Sequence, residues 1–255
     1  FTVDWGDGSA VSEVTSFDDA DIVHAYVTEG EHTIIIKGLM ETIHFNNIYP
    51  ARGQLLSIPS LGSVGWTSLH SAFEGCHELT TVAGGDTSQV TSMDRTFHSA
   101  SNATPDTIGW DTSNVGSMMS MFSRAFAATP DTSGWDTSNV GSMAHMFSRA
   151  EAANPDTSNW NVSQVRSMNW MFNQAYLANP DTSTWDVSQV KTMEGMFLSA
   201  ASANPDTSNW DTSSVDWMGW MFYGATSATP DTSSWDTAEV QDMTNMFDGA
   251  VLANP

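Results

Sequence analysis

The side chains of this 255-residue chain that could do chemistry recur in series rather than converge. Aspartate stands at Asp86, Asp111, Asp136, Asp186, Asp211 and Asp236, in a 25-residue period broken only by Asn161. A second series runs from Asp106 to Asp231. On stacked strands such carboxylates would lie about 4.8 Å apart and repel. Salt, divalent cations or shared protons would relieve that repulsion. The first series is therefore expected to bind calcium weakly and without a cage, and no other cofactor is expected. Glycoside hydrolysis needs two carboxylates facing each other across a cleft, and a ladder is the wrong geometry. The seven histidines, at 24, 32, 44, 70, 77, 98 and 145, include no His-x-x-x-His pair. No glycine-rich phosphate loop, nucleophile elbow or Cys-His pairing is present. Cys76 is alone, which excludes an internal disulfide and reads as a buried thiol. Asp7, in Trp5-Gly-Asp-Gly8, lacks the ligand spacing of a calcium loop and reads as a hairpin turn. The chain is not expected to be an enzyme.

Aromatic residues offer a different chemistry, that of recognition. Trp110, Trp135, Trp160, Trp185, Trp210 and Trp235 could form a sugar-stacking ladder or a buried stack. The pattern Thr-x-x-Trp-x-Thr around them resembles the Leu-x-x-Leu-x-Leu of leucine-rich repeats, whose marked positions face inward, and that resemblance implies the buried stack. Trp170, Trp217, Trp220 and Tyr223 instead interrupt an outward face on which most positions carry Ser, Gly, Asn, Thr or Gln. They are the candidate partner-binding residues, with Trp217 and Trp220 expected to touch across one helical turn.

Charge narrows the partners. Thirty acidic residues against seven Lys and Arg give a formal net charge of -23. Nucleic acid is excluded on that balance, because phosphate binding rests on clustered cations. Anionic membrane surfaces are disfavoured for the same reason. No run approaches the roughly 18 apolar residues of a membrane span. The chain opens on Phe1, so it is expected to be a piece of a longer polypeptide whose repeats continue beyond Pro255.

The elements that must hold these residues follow from the period. From about residue 84 the chain repeats every 25 residues without insertion. Half of each repeat reads Val-x-x-Met-x-x-Met-Phe-x-x-Ala, as in Val165, Met168, Met171, Phe172 and Ala175. Those five positions fall on one face of an amphipathic helix. The expectation is a helix over 89–100 and at each translate, capped by Ser113, Ser138, Ser163, Ser188 and Ser213 in the later repeats and ended before proline. The other half, Thr107–Thr112 and its equivalents, reads as a turn and a brief strand. The predicted fold class is an α/β solenoid, a leucine-rich-repeat-like stack of strand–helix units with a short parallel sheet on one face and helices on the other. A small β cap precedes it. The expected domains are 1–48 (the cap), 49–83 (a degenerate first repeat) and 84–255 (regular repeats).

The motif Trp-Asp-Thr-Ser-x-Val-x-x-Met-x-x-Met-Phe-x-x-Ala resembles the bacterial surface protein repeat of BspA-like leucine-rich-repeat proteins, over roughly residues 55–255. The opening Val3-Asp-Trp-Gly-Asp-Gly-Ser9, His24-Ala-Tyr26 and Gly30-Glu-His-Thr-Ile34 resemble strands of a PKD-like module, over about 40 residues. The resemblance implies a secreted or surface-displayed, adhesive or structural protein without catalysis. Its partners would be a host or neighbouring-cell surface protein or glycan, or further copies of itself. Two alternatives stand beside that reading. One is a purely structural spacer in a giant adhesin or filament. The other is an ice- or glycan-binding surface built on the Thr/Trp repeat, which requires Thr107, Thr112 and their copies to face solvent.

Overall fold

A computed structural model describes residues 1–16, 18–45 and 51–254. They form two compact units, Phe1–Glu41 and Thr42–Pro255. The boundary expected between 48 and 49, and Pro255, lie outside the described residues.

In the first unit, β1 (Thr2–Asp4) pairs antiparallel with both β2 (Ser12–Glu13) and β3 (Ile35–Lys37). Val3 lies opposite Ser12 and Ile36 and is buried, while its neighbours Thr2 and Asp4 face outward, as strand alternation requires. The Gly6–Ser9 segment is a turn held by its own aspartates. Asp4 accepts from the Gly6 amide and Asp7 from the Ser9 amide, each at 3.0 Å. Asp7 Oδ2 also meets His24 Nε2 at 2.7 Å, so both of its oxygens have partners within the cap. Gly6 has φ +76, and a side chain there would run into the Thr33 carbonyl.

The second unit overturns the strand–helix, leucine-rich-repeat-like reading. Among the described residues there is no α-helix, and the secondary structure consists of short strands and two 3-10 turns. Three two-residue strands, β4 (Ser57–Ile58), β5 (Thr81–Val82) and β6 (Thr104–Pro105), pair in parallel in that order. Thereafter successive repeats share single parallel bridges through Ser92, Ser117, Ser142, Ser167, Thr192, Trp217 and Asp242. The strand expected over Thr107–Thr112 is likewise two turns, closed by Trp110 N–H to Thr107 and Val115 N–H to Thr112.

The reason lies in where the amides go. In the coil at 168–178, Met171, Asn173, Ala175 and Ala178 each donate to the carbonyl three residues back, at 3.0–3.2 Å. Met168, Trp170, Phe172 and Gln174 instead donate to Thr192, Glu194, Met196 and Leu198 of the next coil, at 2.7–3.0 Å. A helix would send every amide four residues back along its own chain. Here alternate amides close tight turns and the others tie coil to coil. Trp170 and Gln174 adopt φ of +57 and +55, a left-handed conformation that a right-handed helix excludes. Ser, Gly, Asn and Thr at the outward positions favour turns over helix. The serines expected to cap helices instead bond to the Asp or Asn two residues before them, as Ser113 N–H and Oγ do to Asp111 Oδ1 and Ser163 N–H and Oγ do to Asn161 Oδ1.

The apolar stripe is buried all the same. Val165, Met168, Met171, Phe172 and Ala175 are fully enclosed, because a path of three-residue turns puts the same positions inside as a helix would. Phenylalanines from successive coils stack at 5.5–5.7 Å, as Phe122 does on Phe147 and Phe172 on Phe197. Trp135, Trp160 and Trp185 stack beside them at 6.3–6.4 Å. Two threonine series are buried with the tryptophans. Thr107 donates to the Asp131 carbonyl at 2.7 Å and Thr112 to the Asp136 carbonyl at 2.9 Å, one coil on. The first, irregular repeat joins the stack through Leu69 and Phe73, whose amides donate to Ser92 and Thr96. Cys76 is buried there, and burial pushes its thiol up to about 12, against a smaller opposing effect of Arg52.

Candidate functional site

Each coil contributes one turn whose first and fourth residues line a common strip of surface. The first residue is left-handed and the fourth donates its amide back to it, as His98 does to Arg95, Ser148 to His145 and Tyr223 to Trp220. Along the stack these pairs include Arg95/His98, Ser120/Ser123, His145/Ser148, Trp170/Asn173, Gly195/Leu198 and Trp220/Tyr223. Coil-to-coil hydrogen bonds fix the strip, for example Arg124 N–H to Ser148 and Arg149 N–H to Asn173 at 2.8 and 2.7 Å.

Three of the four candidate aromatic residues fall on this strip. Tyr223 is 37 % exposed, while Trp170 and Trp220 are half-buried. Trp170 stacks on His145 with centroids 6.3 Å apart and planes 7° from parallel, and its indole covers Gly195 of the next coil. Trp217 is 44 % exposed but belongs to the column of parallel bridges. With no helix there, the expected contact between Trp217 and Trp220 has no turn to make it, and no ring pair joins them among the described residues.

The aspartates lie elsewhere. Asp86, Asp111, Asp136, Asp186, Asp211 and Asp236 are exposed, and each accepts the amide two residues on, at 2.9–3.1 Å. Ser88 Oγ and Ser113 Oγ add second bonds to Asp86 and Asp111 at 2.7 and 2.6 Å. Where the series is broken, Asn161 accepts the Ser163 amide in the same way, which marks the position as a turn former and not a charge requirement.

The serine hydroxyls, and then the amides, hold Asp86, Asp136 and Asp211 below the usual carboxylate range. That direction is opposite to the proton sharing expected of a repelling ladder, because each carboxylate is satisfied within its own turn. Among the described residues no three His, Cys, Asp or Glu side chains converge as metal ligands. Thr107, Thr112, Trp110 and most of their copies are buried, so the Thr/Trp repeat does not present the solvent-facing surface that ice binding requires.

What the sequence reading missed is a cationic groove on the same strip. Arg95, His98, Ser120, Ser123, Arg124, His145, Ser148, Arg149 and Asn173 line an open depression of about 470 Å³. Three of the seven Lys and Arg residues of the chain are gathered there. Arg95 also meets Glu74, Nη2 to Oε1, at 2.8 Å. Burial holds His98 and His145 below the usual imidazole range; at His98 the Arg95 charge adds to the effect and Glu74 opposes it. The available signal was the scarcity of cations. Arg124 and Arg149 stand one period apart, and Arg95 lies in the coil before them.

A family model described as "Mycoplasma protein of unknown function, DUF285" matches residues 67–183 and again 154–255. No curated protein and no solved structure matches the chain.

Proposed function

The chain belongs to the DUF285 family, and we propose that it is a non-catalytic binding module of an extracellular or cell-surface protein, acting in adhesion or assembly. The observation that carries this reading is that aromatic rings stand in water along the stack, at Phe126, Tyr176, Trp217 and Tyr223, the last two from one coil, while the phenylalanine and tryptophan columns beside them are mostly enclosed. Aromatic side chains left in water are what a recognition surface uses and what a core does not need. The finer resemblance to BspA-like surface proteins, with a PKD-like cap formed by the first unit, supports the same role. The partner would be a host or neighbouring-cell surface protein or glycan, or a further copy of the chain.

The test is binding of the whole chain to immobilised matrix proteins, to glycans and to itself, with W217S/Y223S as the comparison. Loss of binding in the variant, with its melting temperature kept, supports the module. Equal binding by both proteins moves recognition away from these residues. No binding to any of the three surfaces favours the structural spacer, which needs only the interchangeable coils.

A further inference from the structure

We propose that the groove lined by Arg95, Arg124 and Arg149 binds a tetrahedral oxyanion, a sulfate or phosphate group that is either free or esterified to a larger ligand. The inference stands whether or not Trp217 and Tyr223 contact a partner.

Three observations carry it. First, the groove gathers like charges without internal compensation for all of them. Arg95 has Glu74, whereas no ion pair is formed by Arg124 or Arg149 among the described residues. The two stand at the same position of adjacent coils, both at φ +60, so their backbones are held as neighbours by the coil-to-coil bonds. In a chain of net charge -23, cations dispersed among carboxylates would be stabilised everywhere except beside one another.

Second, buried polar atoms at the groove have no partner. They are Arg95 Nε, His98 Nδ1 and Asn173 Oδ1. An enclosed donor without an acceptor is unfavourable until something supplies the acceptor. An oxyanion would do so for Arg95, and for His98 with its proton on Nδ1. Asn173 donates from Nδ2 to Ser148 Oγ at 3.1 Å. Turned by half a rotation, the amide would accept from that hydroxyl and leave its NH₂ as an unpartnered donor, with the same shape.

Third, the donors come from different coils and are of the kinds that suit a multi-oxygen anion. Guanidinium groups bind sulfate and phosphate through paired hydrogen bonds, and the hydroxyls of Ser120, Ser123 and Ser148 lie between them in the lining. A carboxylate has only two oxygens to offer, whereas a tetrahedral group can reach donors on three coils at once.

The experiment is calorimetric titration of the whole chain with sodium sulfate, with inorganic phosphate, and with a sulfated disaccharide against its unsulfated counterpart. The site variant is R124Q/R149Q, and R166Q removes an exposed arginine that does not line the groove. Glutamine is tolerated at this position, since Gln174 occupies it in the next coil with φ +55. The expected result is binding that falls about tenfold or more in R124Q/R149Q and is unchanged in R166Q. Binding of the free ions identifies an inorganic anion as sufficient; binding of the sulfated sugar alone identifies an ester. Absence of binding by all the sulfated and phosphate probes overturns the proposal. So does an equal loss in R166Q, which would reduce the effect to general charge.

Discussion

Gly195→Ala is a sharp test of how the coils are stacked. Gly195 has φ +57, and a Cβ built on it would lie 2.6 Å from Cε3 of the Trp170 indole in the preceding coil. Two effects then add. A non-glycine residue in the left-handed region costs about 1–2 kcal/mol, partly offset because alanine loses about 0.4–1 kcal/mol less chain entropy on folding. Moving the indole off the new methyl group is overpacking, at about 1–3 kcal/mol. Together G195A should destabilise the chain by about 2–4 kcal/mol. In a Trp170→Ala background only the backbone effect should remain, about 1 kcal/mol. Urea unfolding followed by far-ultraviolet circular dichroism on the four proteins of this cycle gives the coupling directly. A cost below about 0.5 kcal/mol, or the same cost in both backgrounds, would refute the placement of Trp170 over the next coil.

Other outcomes follow from the core and from the turn aspartates. Phe172→Ala should cost about 3–5 kcal/mol, since the ring is fully buried between Phe147 and Phe197; a loss under about 1 kcal/mol would place that residue outside the core. Asp86, Asp136, Asp156 and Asp211 have carboxyls lowered in the folded chain, so the stability they contribute is present above the unfolded carboxyl value and is lost as pH falls through the folded ones. The melting temperature should therefore drop as the pH falls below the unfolded carboxyl value of about 4, and a flat profile there would show that the serine bonds do not form. Because each of these carboxylates is engaged in its own turn, millimolar calcium should raise the melting temperature no more than sodium chloride of equal ionic strength. A calcium-specific rise would restore the aspartate series as ligands.

The 25-residue period and the buried positions were legible because burial leaves an unambiguous mark. Val165, Met168, Phe172 and Ala175 had to be inside on any path with a three-residue rhythm. The path itself was not legible from that stripe, since a helix and a chain of tight turns bury the same residues. The discriminating signal stood on the other face. Gly195, Gly224 and Gly249 occupy positions of positive φ inside the segment expected to be helical, and Asn245 occupies another. Glycine and asparagine are the residues that tolerate that conformation. The groove was hidden for a related reason. Arg95 and Arg124 are unremarkable along the chain, and only the turn geometry brings their columns side by side. The exposed Trp217 and Tyr223 could be picked out because they break a polar pattern, although the helical contact imagined for Trp217 and Trp220 had no helix behind it.

The threonine series gives the stack a property that belongs to its gene. Thr107, Thr132, Thr157, Thr182 and Thr207 each donate to an aspartate carbonyl one coil further on, at 2.6–2.8 Å, so every junction between these coils is chemically the same junction. Misaligned recombination between the segments encoding two coils would delete or duplicate a whole coil, and the new neighbours would still meet phenylalanine on phenylalanine and threonine on carbonyl. Variation in length is thereby decoupled from damage to the core. What such an exchange does alter is the order of residues along the strip, bringing a different turn beside Arg149 or Trp170. The surface strip can thus be reordered in steps of one coil while the contacts between neighbouring cores stay the same.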